Sequence, residues 1–140
     1  MNSDPLPPCA PSGNSPRDPI RTLLVDDIDT VRNLIETFLL RTGRIGIVGH
    51  ASNGVEAVEL TAQLHPDLVI MDVNMPVMDG VEATLKIKEL PNPPRIIIVS
   101  MSDSWTEHLV MNAGADAFCD KRDALDTLLG HIKGLFPSPA

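Results

Sequence analysis

Five residues carry the chemistry of this chain. Asp72 closes the apolar run Leu68-Val69-Ile70-Met71 and opens a Pro/Gly loop, Val-Asn-Met-Pro-Val-Met-Asp-Gly, that ends at Gly80. Asp is depleted in strands, so a strand-like run that ends on a carboxylate needs a chemical reason. Asp26 and Asp27 close an earlier run, Ile20 to Val25, in the same way. Ser100 directly follows Ile96-Ile97-Ile98-Val99, and Lys121 follows Ala117 to Asp120. Three carboxylates brought together repel one another, which raises at least one pKa. A hard divalent cation removes the conflict, and Mg²⁺ suits carboxylates, carbonyls and water. No His or Cys stands at these positions, which disfavours zinc. An Asp beside Mg²⁺ and a Lys is equipped to attack phosphorus. The cation and the ammonium stabilise the phosphoryl oxygens, and a hydroxyl can hydrogen-bond one of them.

The surrounding pattern alternates strand and helix from Ile20 onward. Ile20 to Val25 reads as a strand. Asp29 or Thr30 is expected to cap a helix that carries Val31, Leu34, Ile35, Phe38 and Leu39 on one face and ends at Gly43. Ile45 to His50 is a second strand. Asn53 and Glu56 form a capping-box pattern for a helix that stops before Pro66. Leu68 to Met71 is the third strand. Asp79 and Glu82 cap a helix that runs to about Leu90. Arg95 to Ser100 is the fourth strand, and Ser104 with Glu107 opens a helix to about Ala113. Ala117 to Cys119 is the fifth strand. Asp123 caps a last helix with Leu125, Leu128, Leu129, Ile132, Leu135 and Phe136 inward. Continuous apolar strands alternating with amphipathic helices predict a single α/β domain, a doubly wound parallel sheet covered on both faces. Five units fit the strand order 2-1-3-4-5, with ligands at the carboxyl ends near the switch point. Neighbouring strands lie about 4.8 Å apart, so Ser100 reaches a group on Asp72, whereas only a long side chain bridges from the fifth strand.

Composition sets the outer limits. At 140 residues the chain is one domain, long enough to bury about 68–70% of its unfolded surface. Apolar residues make up 43% but aromatics only 3%, so Val, Ile, Leu, Ala and Met build the core. A net charge of −8, from 19 acids against 11 bases, argues against a nucleic-acid surface. No apolar run has the length of a membrane span, and the amino terminus lacks a signal-peptide pattern, so a cytoplasmic location is expected. Cys9 and Cys119 stand in unlike contexts, one in a proline-rich stretch and one in a core strand, and read as reduced thiols. Residues 1–19 read as a flexible Pro-rich leader, residues 20–136 as the domain, and residues 137–140 as a tail.

Taken together, Asp26-Asp27, the Met71-to-Gly80 stretch, Ser100 and Lys121 resemble the receiver domain of two-component response regulators, a flavodoxin-like fold. The resemblance covers residues 20 to 136. It implies that Asp72 is the phosphoacceptor. It implies that Asp27 binds Mg²⁺ (with Mn²⁺ as a substitute) directly and Asp26 through water, with the backbone carbonyl of Asn74 completing the protein ligands. Ser100 and Lys121 would hold the phosphoryl group. Phe118, three residues before Lys121, matches the aromatic that moves with the switch residue Ser100. The resemblance further implies a sensor histidine kinase or histidine phosphotransfer protein as donor. A downstream protein would dock on the face made by helix 4, strand 5 and helix 5, with no nucleic acid or membrane bound by this chain itself. Such a chain catalyses only its own phosphorylation and dephosphorylation and is not an enzyme acting on a separate substrate.

Two positions depart from the family pattern. Arg122 follows the lysine where Pro is common, which affects the local loop. Met101 follows the switch hydroxyl where a small residue is usual, so a long side chain guards access to Asp72. Each feature also has a plainer reading: paired acids as helix caps, Ser100 as a turn residue, Lys121 as a solvated lysine, Phe118 as core. Trp105 reads as a helix N-terminal residue near the fourth loop. His50, His65, His108 and His131 are scattered and suggest no cluster. One alternative is a receiver fragment of a DNA-binding transcriptional regulator. A remoter one is a phosphohydrolase of the haloacid dehalogenase type, for which Asp27-Ile28-Asp29 imitates the nucleophile motif. That alternative lacks a later acidic pair and leaves Asp72 without a role.

Overall fold

The computed structural model describes residues 19–101 and 104–137. The elements are β1 (Ile20–Val25), α1 (Asp29–Leu40), β2 (Ile45–Ala51), α2 (Gly54–Leu64), β3 (Leu68–Met71), α3 (Gly80–Lys88), β4 (Arg95–Ser100), α4 (Ser104–Ala113), β5 (Ala117–Asp120) and α5 (Ala124–Leu135). A 3₁₀ turn, Lys121–Asp123, joins the last two. The expected leader and tail fall almost wholly outside the described residues, as does Cys9.

The five strands form one sheet in the order β2-β1-β3-β4-β5, and every pairing is parallel. β3 is central, with Val25 and Ile98 both in register with Met71. Side chains alternate across the pleat, which divides the apolar residues into two cores. Leu24, Ile70, Ile97, Val99 and Cys119 pack against Ile35 and Leu39 of α1 and Leu128 and Ile132 of α5. Leu23, Val69, Met71, Ile96 and Ile98 pack against Ala57 of α2, Ala83 and Ile87 of α3, and Val110 of α4. Burial pushes the Cys119 thiol up to about 11, which keeps it protonated and inert.

Two expected caps form: Asn53 and Asp79 accept the backbone N–H of Glu56 and Glu82, each at 2.9 Å. The Glu56 carboxylate reaches back to Ser52 N–H at 2.8 Å, one residue earlier than the capping box requires. Other expectations are corrected. Asp29 and Thr30 lie inside α1, and its N-cap is Ile28, which offers no side-chain acceptor. Leu34, expected on the buried face of α1, is 60% exposed. Asp123 stands at the N-cap of α5 but makes no capping bond, because a 3₁₀ turn leads into the helix. α3 ends at Lys88, and Leu90 N–H continues only a tight turn to the Ile87 carbonyl. α4 starts at Ser104 itself, so its cap position lies outside the described residues.

Candidate functional site

The carboxyl ends of β1 and β3 are held in register by the main chain. Asp72 N–H donates to the Val25 carbonyl at 3.0 Å, and Asp26 N–H to the Ala51 carbonyl at 3.1 Å. The loop after β3 then turns back tightly. Gly80 N–H donates to the Val73 carbonyl at 2.9 Å, and a Cβ at Gly80 would collide with the Asp72 carbonyl and lie 2.8 Å from Val73 Cα. Only glycine allows that approach beside Asp72. Val77, in the same loop, takes a positive φ of 69° and is exposed.

Asp26 and Asp72 are buried, while Asp27 is exposed. One carboxylate oxygen from each of the three lies within 4.8 Å of the others, a spacing that one cation can span. Lys121 reaches in from the end of β5. Its ammonium lies 3.0 Å from Asp72 Oδ2 and 3.1 Å from Asp26 Oδ2. Asp72 Oδ1 accepts Val73 N–H at 2.7 Å, and Asp26 Oδ1 accepts Ile28 N–H at 2.9 Å. Burial raises the Asp26 pKa, and the neighbouring Asp72 charge adds to that against the opposing Ile28 and Lys121 hydrogen bonds. Burial works to lower the Lys121 pKa, but its bonds to Asp72 and Asp26 outweigh it and the net shift is upward. The ammonium therefore stays charged and partly neutralises the cluster.

Ser100 is fully buried at the end of β4, and its Oγ has no hydrogen-bond partner among the described residues. A buried hydroxyl left unpaired costs about 1–3 kcal/mol, and a ligand oxygen that enters the site would recover it. Phe118, on β5, pairs with Ile98 and packs half-buried on the α4 side of the sheet, the same face as Ser100 two residues beyond Ile98. Asn74 lies exposed two residues after Asp72, Met101 is 55% exposed one residue after Ser100, and Trp105 is exposed and stacks on His108 with ring centroids 6.4 Å apart.

Two groups of side chains were missed in the sequence. Arg32, five residues after Asp27, donates to the Asp26 carbonyl, and His50 receives its Nε–H at 3.1 Å. At the opposite end of the sheet, Asp116 binds Lys88 at 2.8 Å, Arg95 at 3.2 Å and Ile96 N–H at 2.8 Å. The longest contacts in each group have no local sequence signature, since Arg32 and His50 lie 18 residues apart and Lys88 and Asp116 28.

This fold and acidic edge have many known counterparts. The sequence model of the response regulator receiver domain matches residues 22–133. Chemotaxis protein CheY of Halobacterium salinarum is 41% identical over 102 residues, covering 72% of this chain and 83% of that protein. Protein-glutamate methylesterase/protein-glutamine glutaminase 1 of Methanosarcina acetivorans is 49% identical over 88 residues, covering 63% of this chain but 24% of its own length. The response regulator domain of Thermotoga maritima CheB superposes with a TM-score of 0.79 at 28% identity, covering 87% of this chain and 99% of that one. The chain belongs to the response regulator receiver domain family. It is a receiver domain, the phosphorylation-activated switch of two-component signalling. It spans less than half the length of several curated relatives it matches. Among the described residues no helix is long and apolar enough to cross a membrane.

Proposed function

We propose that Asp72 is the phosphoacceptor of this receiver, and that residues 20–136 form the working unit. The observation that carries the reading is the gathering of Asp72 with two further acids and the Lys121 ammonium, beside a strand, β4, that ends on Ser100, a buried hydroxyl without a partner among the described residues. A carboxylate oxygen of Asp72 attacks the phosphorus of a partner's phosphohistidine. The new oxygen–phosphorus bond forms as the phosphorus–nitrogen bond breaks, and the imidazole leaves with that electron pair. Lys121 follows the developing charge on the transferring oxygens, and Ser100 donates its unpaired O–H to one of them. Attack of water on the same phosphorus later returns the free carboxylate.

The donor set fits Mg²⁺: hard oxygens, two of the carboxylates buried, and no His or Cys among them. Asp26, Asp27, Asp72 and the backbone carbonyl of Asn74 would hold it, and Mn²⁺ has the same preferences. When bound, the cation neutralises the acids and withdraws charge from the phosphoryl oxygens. The donor is a sensor histidine kinase or a histidine phosphotransfer protein of the cytoplasm. Ser100 and Phe118 then connect the phosphate to the face of α4, β5 and α5, where a downstream protein docks. The chemistry stays on the chain itself, with no separate substrate turned over.

The test is intact-mass measurement after incubation with Mg²⁺ and a small phosphodonor. The wild type should gain one hydroxylamine-labile phosphoryl group, and Asp72→Asn should gain none. No gain from either a small donor or a phosphorylated phosphotransfer domain would sink the reading.

A further inference from the structure

We propose that Arg32 is the positioning residue of the acidic cluster, fixing the loop after β1 so that Asp26 and Asp27 present their oxygens to a cation. The inference rests on the Mg²⁺ reading above. Arg32 leaves the first turn of α1 with its side chain 12% exposed. Its donors point three ways. Nη1 donates to the backbone carbonyl of Asp26, Nη2 to the Asp29 carboxylate, and Nε to His50 Nδ1 at 3.1 Å. His50, near the end of β2, continues the chain of contacts. With Nδ1 accepting, its Nε2 carries the proton and faces Glu36 Oε1 at 2.6 Å, one turn further along α1. A closed ring of contacts therefore ties α1, β2 and the β1–α1 loop together beneath the site. Arg32 also lines a cavity of about 10 Å³ together with Asp26 and Asp72.

The arrangement has a specific electrostatic logic. The loop from Asp26 to Ile28 leads into a helix whose N-cap supplies no side-chain acceptor. Its ends are held by the Asp26 N–H bond to the Ala51 carbonyl and by the helix bonds to the Ile28 carbonyl, and between them stand the Asp26 Oδ1 bond to Ile28 N–H and the Arg32 bond to the Asp26 carbonyl. A cation placed beside a cation site normally competes with the metal for the carboxylates. Arg32 takes the main-chain carbonyl of Asp26 instead and leaves the carboxylates of Asp26 and Asp27 uncommitted to it. A planar guanidinium serves three partners in fixed directions, and a lysine ammonium at the end of a flexible stem does not. Groups that orient metal ligands in this way typically affect metal affinity by about 10–100-fold.

The experiment is calorimetric titration of Mg²⁺ into the full chain, with thermal unfolding beside it, for wild type, Arg32→Lys, Arg32→Met and His50→Phe. Both Arg32 variants should bind Mg²⁺ about 10-fold more weakly or worse, with the lysine giving no rescue. His50→Phe should weaken binding by less. Phosphoryl uptake should recover toward the wild-type rate at saturating Mg²⁺, because Arg32 acts through the metal loop and does not touch the reacting atoms. Wild-type Mg²⁺ affinity in a folded Arg32→Met overturns the inference. So does an uptake defect that saturating Mg²⁺ leaves in place. If the Arg32 variants do not fold, His50→Phe decides, and wild-type affinity there overturns the inference. A wild-type chain that neither binds Mg²⁺ nor takes up phosphate overturns the switch reading as well, whereas wild-type behaviour with unaffected variants overturns the Arg32 role alone.

Discussion

Lys121 is the residue whose identity is set most tightly by reach. It sits past the end of β5, two strands from Asp72, yet its ammonium contacts both Asp72 and Asp26. On the proposed reading it would serve two opposed functions, competing with a cation for the acids and stabilising phosphoryl transfer. Lys121→Met separates them. Mg²⁺ affinity should rise by about tenfold, equivalent to about 1.4 kcal/mol, while phosphoryl uptake falls by about 100-fold. Calorimetry and timed mass spectrometry read the two effects, and a parallel loss of both would contradict this account. Met101 is proposed to limit access to Asp72. It directly follows β4 and is exposed. Met101→Ala should speed both uptake from small donors and dephosphorylation, and equal rates in the two proteins would remove Met101 from the account.

At the scale of elements, the contrast is between local and distant contacts. Asn53 and Asp79 were legible as caps because acceptor and donor lie three residues apart. Asp29 was misread for the same local reason: Arg32, one turn on, captures its carboxylate, and Asp26 takes over the Ile28 N–H. β3 and the body of β4 were legible from their apolar runs, since burial on both faces leaves no room for polar residues there. The Arg32–His50 contact was not legible. It depends on the register of β2 against β1, which shifts between Thr22 and Leu23. The Lys88–Asp116 pair joins α3 to the start of β5 across 28 residues and has no local signature either. Burial works to raise the Asp116 pKa, but the Lys88, Ile96 and Arg95 hydrogen bonds outweigh it and lower it overall. A carboxyl whose pKa is lowered by folding stabilises above the ordinary carboxylate range and loses that contribution as pH falls through its folded value. Asp116→Asn should therefore cost about 2 kcal/mol at neutral pH. Urea unfolding should show the deficit shrinking as pH drops toward 3, and a deficit that stays constant with pH would contradict this.

For the whole molecule, parallel strands bring every strand terminus that carries chemistry to one edge, and two separate cores fix that edge from both sides. The gathering of the three acids with Lys121 was legible because those termini carry unlike residues, acids after β1 and β3 and an ammonium after β5. The site's second layer was not legible, because it is built from pairings that only the folded sheet creates. The central claim is that, of three clustered carboxylates, Asp72 alone is the nucleophile. Borohydride reduction of the phosphorylated chain, followed by peptide mass mapping, tests this directly, because an acyl phosphate is reduced to homoserine at the residue that carried it. Homoserine is expected at residue 72 only. Homoserine at residue 26 or 27, or none in a chain that has gained a phosphoryl group, would contradict it.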